Sequence, residues 1–99
     1  MFDFNLWCSW TKSQCQQSPV EHVVMTFSLG KTSPKQGATV AFNTDRVLMQ
    51  LGFWETGEAD FYGVRLINGL DISGFNGRLL TDASFERTFR DCLATAASD

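Results

Sequence analysis

The sequence of 99 residues contains one histidine, two prolines and three cysteines, and it has no long uninterrupted run of apolar residues. An odd number of cysteines, at Cys8, Cys15 and Cys92, does not form a complete disulfide framework, so we expect a protein of the reducing cytoplasm. No segment approaches the roughly 20 apolar residues that cross a bilayer. Residues 1–10 lack the basic start of a signal peptide. We therefore expect neither a membrane protein nor a secreted one.

Lysine and arginine are scarce, because eight of them stand against eleven aspartates and glutamates, which gives a net charge of −3. Nucleic acids and anionic membranes attract cationic surfaces, so we expect neither as a partner. The acid excess is concentrated in residues 51–99, which hold eight acidic and four basic side chains, whereas residues 1–50 hold three and four. Any electrostatic function is therefore expected in the second half of the chain.

Apolar residues make up 43% of the chain, and the aromatic residues include nine phenylalanines and three tryptophans. A chain of this size buries about two-thirds of its unfolded surface in one core. Burial of one phenylalanine contributes about 1.5–3 kcal/mol, which is large against a net stability of about 5–15 kcal/mol. We therefore expect one domain over residues 1–99, with most phenylalanines in its core.

Apolar residues recur at helical spacing near both ends of the chain. In the first segment Asp3 is the predicted N-cap, and the apolar stripe ends near Gln17. In the second segment Thr81 or Asp82 is the predicted cap of a helix over residues 82–96. Its apolar stripe consists of Phe85, Phe89, Cys92, Leu93 and Ala96. The sequence thus predicts an N-terminal and a C-terminal helix.

Between the helices the apolar period changes to two, which is typical of half-buried strands. We predict strands over residues 20–29, 38–43, 46–54 and 59–66, separated by a loop at 30–37 and by turns at 43–45 and 55–57. A short fifth strand over residues 70–75 follows the turn at Asn68-Gly69 and is weakened by Gly74 and Gly77. The predicted fold class is α+β: a four- to five-stranded antiparallel meander between two helices that pack on one sheet face, with the other face open.

Residues that commonly carry catalysis are sparse. His22 lies on the polar side of the first predicted strand, and no nucleophile with an orienting carboxylate lies near it in the sequence. Cys8 and Cys15 are two helical turns apart, which is too far for a compact metal site, and we interpret all three cysteines as core residues. The glycines form no phosphate-binding string between a strand and a helix. We therefore expect no catalytic site, no cofactor and no metal.

One turn gathers acidic and aromatic side chains. Glu55, Glu58 and Asp60 lie within six residues, and Trp54 and Tyr62 flank them. The cluster is either a solvated turn or a partner-binding surface, because aromatic residues beside charges are enriched at protein interfaces. A cation site or an acid–base pair is a weaker interpretation, since the spacing is not that of an EF-hand loop. We predict these five residues as the partner-binding set.

The segment FWETGEADF, at residues 53–61, resembles the hairpin motif of the TriTu family of immunity proteins in bacterial polymorphic toxin systems. In that family a strand ends in Trp and is followed by an acidic residue, a small polar residue, Gly-Glu and an acidic return strand. The order of elements is also similar: an N-terminal helix, strands, a second Gly-containing turn and a closing amphipathic helix. The resemblance implies a non-enzymatic inhibitor that binds a cognate toxin domain and occludes its active site.

Three classes of function remain as hypotheses. An acidic inhibitor suits a basic toxin, such as a nuclease, because opposite charge steers association. The first alternative is a general interaction or adaptor module, including a homodimer formed through a strand edge. The second is a small hydrolase or ligand-binding domain, which would need a deep pocket lined by His22 and a carboxylate.

Overall fold

The computed structural model describes residues 1–17, 19–30 and 35–99. Within them the elements are α1 (Phe4–Gln17), β1 (Val24–Leu29), β2 (Gly37–Asn43), β3 (Val47–Trp54), β4 (Glu58–Arg65), β5 (Asp71–Leu79) and α2 (Phe85–Ser98). The strands form one sheet in the order β1-β2-β3-β4-β5, with every neighbouring pair antiparallel. The predicted α+β meander is confirmed. Residues 31–34 of the predicted loop lie outside the described residues.

Both helices pack on the same face of the sheet, as predicted. The inward side chains of β2 and β3 are completely buried or nearly so: Val40, Phe42, Met49, Leu51 and Phe53. The Trp7 ring of α1 stacks on Phe85 of α2 with 4.7 Å between centroids, and Trp10 meets Phe89 edge-on at 4.9 Å. Such aromatic pairs add to the free energy of burying their area. The aromatic residues of α1 and α2 thus join the two helices to each other. The opposite face of the sheet is not covered by either helix.

The N-terminal half follows the predicted order with one shifted boundary. Asp3 caps α1 as predicted, because its Oδ1 accepts a hydrogen bond from the Leu6 amide at 3.1 Å. The first strand begins at Val24 rather than at residue 20. The residues before it form a turn in which the Val23 amide donates to the Val20 carbonyl at 3.1 Å. The predicted alternation therefore began four residues before the first residue that pairs in the sheet.

The start of α2 differs from the prediction. Its N-cap is Ser84, so the assignment of Thr81 or Asp82 as cap is wrong. The Asp82 carboxylate instead accepts hydrogen bonds from the Asp3 amide at 2.7 Å and from the Trp7 indole Nε1 at 2.9 Å. These bonds hold the pKa of Asp82 below its usual value, with the Asp3 amide as the largest cause. Asp82 thus ties the two helices together rather than capping one of them.

The fifth strand is longer than predicted and spans nine residues, Asp71–Leu79. Its pairing with β4 shifts register twice, and each shift inserts one extra β5 residue. A Cβ at Gly74 would lie 2.0 Å from the Phe61 carbonyl oxygen, and Gly77 has a φ of +70°. Glycines at such positions permit β-bulges. Gly74 and Gly77 therefore allow the strand to continue, and the prediction of a short strand was wrong.

Candidate functional site

The predicted site begins at the turn between β3 and β4. Gly57 has a φ of +92°, and its amide donates to the Trp54 carbonyl at 2.9 Å. A Cβ at this position would lie 2.6 Å from the carbonyl oxygen of Leu80. Glycine is therefore required twice here, once for the left-handed conformation and once for the close approach of the Leu80 backbone. The prediction of a three-residue turn with Gly57 at positive φ is confirmed.

Trp54 is half-buried and lies flat on the outer face of the sheet. Its ring covers two glycines, because a Cβ at Gly37 would lie 2.8 Å from its Nε1 and one at Gly52 would lie 3.6 Å from its Cη2. The Nζ of Lys35 lies 5.7 Å from the ring centroid. Packing on these glycines fixes the Trp54 ring against the outer face of the sheet.

The first two predicted carboxylates are bonded to the neighbouring loop. Glu55 Oε1 accepts a hydrogen bond from the Gln36 amide at 3.1 Å, and the Glu55 amide donates to the Gln36 carbonyl at 2.9 Å. Glu58 forms an ion pair with Lys35 and accepts a hydrogen bond from the Thr56 hydroxyl at 3.1 Å. The Lys35 hydrogen bond is the largest cause that holds the pKa of Glu58 below its usual value. Both carboxylates therefore stabilise the turn.

The third predicted carboxylate, Asp60, lies on β4 and supports the neighbouring strand. Its Oδ1 accepts a hydrogen bond from the Gly77 amide at 2.7 Å, at the second bulge of β5. A backbone amide in a bulge has lost its ladder partner, and the carboxylate supplies an acceptor for it. Asp60 thus fixes the irregular part of β5 beside the predicted site.

Most of the carboxylates in residues 51–99 make such bonds within the protein. Within the described residues, six of its eight carboxylates accept a hydrogen bond or form an ion pair: Glu55, Glu58, Asp60, Asp82, Glu86 and Asp99. The other two, Asp71 and Asp91, make neither contact in that part of the chain. The carboxylates that are available to a partner are therefore not the ones that are densest in the sequence.

Asp71 and Tyr62 lie together on the outer face, where two shallow grooves meet. Tyr62 is 56% exposed, and its hydroxyl oxygen accepts a hydrogen bond from Gln50 Nε2 at 3.1 Å. One groove, of about 530 Å³, has Asp60, Tyr62, Asp71 and Asn76 among its lining residues. The other, of about 430 Å³, has Gln50, Tyr62 and Asp71 among them. The predicted Asp60 and Tyr62 therefore line one groove with Asp71.

Sequence reasoning missed Asp71. A usable signal was its position at the start of β5, opposite Val64, which the hairpin register pairs with it. Val64 and Tyr62 lie on the outer face of β4, so a residue paired with Val64 lies on that face too. The position of the Asn68-Gly69 turn therefore indicates the face on which Asp71 lies, provided that the residue at which β5 begins is known.

His22 and the cysteines lie apart from these grooves. His22 is exposed in the turn before β1, not on the strand itself, and its Nε2 lies 2.9 Å from the Ala97 carbonyl oxygen. Cys92 is buried, whereas Cys8 and Cys15 are half-buried against the core. Burial raises the pKa of the Cys8 thiol to about 11 and that of Cys92 to about 12. Thiols with such pKa values are weak nucleophiles at neutral pH.

In the part of the chain that the structure describes, no group of three or more His, Cys, Asp or Glu side chains is placed to hold a metal ion. The helices of the same residues are too short or too polar to cross a membrane. A scan against models of known protein families matched none, and searches of curated proteins and of solved structures gave no match either. Function is therefore inferred from surface geometry and residue chemistry.

Proposed function

We propose that this protein is a cytoplasmic immunity protein that binds a cognate bacterial toxin domain and neutralises it by covering the toxin's functional surface. The observation that carries the proposal is the open outer face of the sheet, because both helices and the whole core lie on the other side. The resemblance of residues 53–61 to the TriTu hairpin motif supports a toxin as the partner.

The outer face has the features of a preformed binding platform. Trp54 is packed on glycines, and the hydroxyl of Tyr62 is held by Gln50. Aromatic side chains held in one conformation lose little entropy on binding, and Trp and Tyr are enriched among residues that dominate interface energetics. Inhibition by occupancy needs no bond-making residue on the inhibitor. A binding role is therefore compatible with a site that consists of aromatic, amide and carboxylate groups.

The structure changes the relative weight of the five predicted contact residues. Glu55 and Glu58 are engaged by Gln36 and Lys35, so a partner would have to compete with these contacts. Tyr62 is exposed and lies in the grooves. We therefore place the centre of the proposed interface at Tyr62, with the β3–β4 turn at its rim.

The test is co-expression with the protein encoded immediately upstream. In a bacterial host that neighbour is expected to arrest growth, and this protein is expected to restore growth and to co-elute with the neighbour as a complex. A non-toxic neighbour, or a toxic one that is neither bound nor neutralised, would refute the proposal.

A matched pair of variants tests the surface. Tyr62→Arg should abolish rescue, whereas Leu6→Arg should keep it, because Leu6 is similarly exposed, at 53%, but lies on α1 on the other side of the molecule. Both variants should unfold at denaturant concentrations near that of the parent. Equal loss of rescue in the two variants would show that the outer face is not the contact surface.

The alternative, a homodimeric interaction module, is favoured by one observation on β1. This edge strand pairs with β2 in an unbroken register, and its Val24 and Leu29 side chains are 65% and 58% exposed. Regular, apolar strand edges pair readily with another copy, whereas the bulged β5 edge is protected. Sedimentation equilibrium of the pure protein decides between the two, since a Val24→Lys change should dissociate a β1-mediated dimer. A monomer at all concentrations would exclude this alternative.

A further inference from the structure

We infer that the two grooves beside Tyr62 receive arginine or lysine side chains of a protein partner, with Asp71 as the principal charged contact. The inference deepens the proposed function, on which it rests for the existence of a protein partner. It adds the chemistry of the partner's surface and a contact residue, Asp71, that lies outside the resemblance to the TriTu motif.

The Asp71 carboxylate is available to a ligand. Asp71 is exposed, and its side chain makes no hydrogen bond or ion pair within the described residues, yet it lines both grooves together with Tyr62. A carboxylate with no internal partner loses no protein contact when it turns to a ligand. Its interaction with a cation is therefore not offset by a broken bond in the free protein.

The charged side chains that line the two grooves are acidic. Among the residues that the structure describes, neither groove is lined by a lysine or arginine, and the rest of the lining consists of apolar groups, amides, hydroxyls and backbone. Asp60 and Asp71 are thus not neutralised within the grooves. The exposed side of α2 differs, because Glu86 is paired there with Arg90 at 3.0 Å. A cationic surface is therefore attracted to the sheet face, and anionic ligands are excluded from it.

The two groove carboxylates, Asp60 and Asp71, are widely spaced. The register pairs Asp71 with Val64, four residues along β4 from Asp60, which corresponds to about 13 Å at roughly 3.3 Å per residue. A single metal ion needs its oxygen ligands at about 2.3–2.6 Å, so it cannot bridge these carboxylates. Side chains from an extended surface can reach both. This spacing suits a polypeptide with more than one basic residue.

Tyr62 completes the site, because it lies on the outer face of β4 between Asp60 and Val64, the residue that the register pairs with Asp71. Its exposed ring attracts an arginine or lysine by a cation–π interaction. Its hydroxyl already accepts a hydrogen bond from Gln50, so its own proton remains for donation to the partner. Asp60 uses Oδ1 for the Gly77 amide, and its Oδ2 has no described bond.

The experiment is an NMR titration of the full chain with a tetra-arginine peptide at low salt, with a tetra-glutamate peptide as the control. Amide shifts are expected to concentrate at Tyr62, Asp71 and Asn76 and to disappear as salt is raised. Asp71→Asn should weaken peptide binding about threefold to fivefold, the size of one exposed charge pair. Asp91→Asn removes the other carboxylate of residues 51–99 that has no partner within the described residues, and it should leave the affinity unchanged.

Several results would overturn the inference: no shifts on the outer face, shifts spread equally over both faces, or equal weakening by the two Asn variants. Because the peptide replaces the partner, the outcome is independent of the toxin test. If the upstream neighbour proves not to be a toxin while the peptide binds as expected, the proposed function fails and the groove chemistry stands. If the toxin is neutralised while the peptide result fails, only this inference falls.

Discussion

Carboxylates lie near both ends of β4, and the two groups differ in what they contact. At the β3–β4 turn the carboxylates of Glu55 and Glu58 are bonded to Gln36 and Lys35 of the preceding loop. Near the β4–β5 turn, Asp71 has no such contact within the described residues, and it lines the outer grooves. A carboxylate that serves its own chain loses that contact when it turns to a partner, whereas a free one does not. The acidic residues are therefore densest in the sequence at the β3–β4 turn, whereas the carboxylate that is available to a partner lies on the next strand, β5.

The largest effect on stability is expected from glycine substitutions in the two turns on either side of β4, and it should differ between them. Gly57→Ala is expected to cost about 2–5 kcal/mol of stability, because it adds left-handed strain to a clash with the Leu80 carbonyl. Gly69→Ala should cost only about 1–2 kcal/mol, since Gly69 has a φ of +68° but nothing within 4 Å of an added Cβ. Urea unfolding measures both. Equal losses would mean that the Leu80 contact adds nothing at the first turn.

The next effect compares the two carboxylates that line the grooves. Asp60→Ala should cost about 1 kcal/mol, because the Gly77 amide loses its acceptor at the bulge. Asp71→Ala should stay within about 0.5 kcal/mol of the parent. Chemical denaturation of the two variants side by side gives the difference. A larger loss in Asp71→Ala would reveal a structural role that contradicts its availability.

Acid should reduce the stability that Glu58 and Asp82 contribute through their hydrogen bonds. The pKa values of Glu58 and Asp82 are lowered in the folded protein, chiefly by the Lys35 hydrogen bond and by the Asp3 amide respectively. Their contribution is present above the unfolded pKa, about 4, and is lost as pH falls through the folded values. The melting temperature should therefore fall on acidification below that range, and it should fall less in the double variant Glu58→Gln, Asp82→Asn. An identical pH dependence in both proteins would contradict this assignment.

The smallest effect on stability is expected from Tyr62→Phe. The change removes the acceptor of Gln50 Nε2 from an exposed position, where water replaces it, so the unfolding midpoint should hardly move. Binding to a partner should nevertheless weaken, since the phenol no longer donates a hydrogen bond. Calorimetry on the captured complex measures this. Unchanged affinity would restrict the role of Tyr62 to its ring.

Local patterns predicted the elements well and their ends less well. The period of two identified β3, because Val47, Met49, Leu51 and Phe53 all point into the core. The boundaries of β1 and α2 were misplaced, since pairing and capping depend on groups distant in sequence. Asp82 is an instance: it has the chemistry of an N-cap, but the Asp3 amide and Trp7 indole, more than seventy residues away, take its carboxylate.

The sequence by itself determined the α+β order, the turn at Gly57 and an acidic second half, because periodicity, turn chemistry and charge are local properties. Only the tertiary structure decided which carboxylates are free. Hydrogen-bond partners such as Gly77 for Asp60 and Gln36 for Glu55 come from other strands and loops, and register brings them into reach. The same register converts Gly74 and Gly77 from apparent strand breakers into bulges and places Asp71 beside Tyr62.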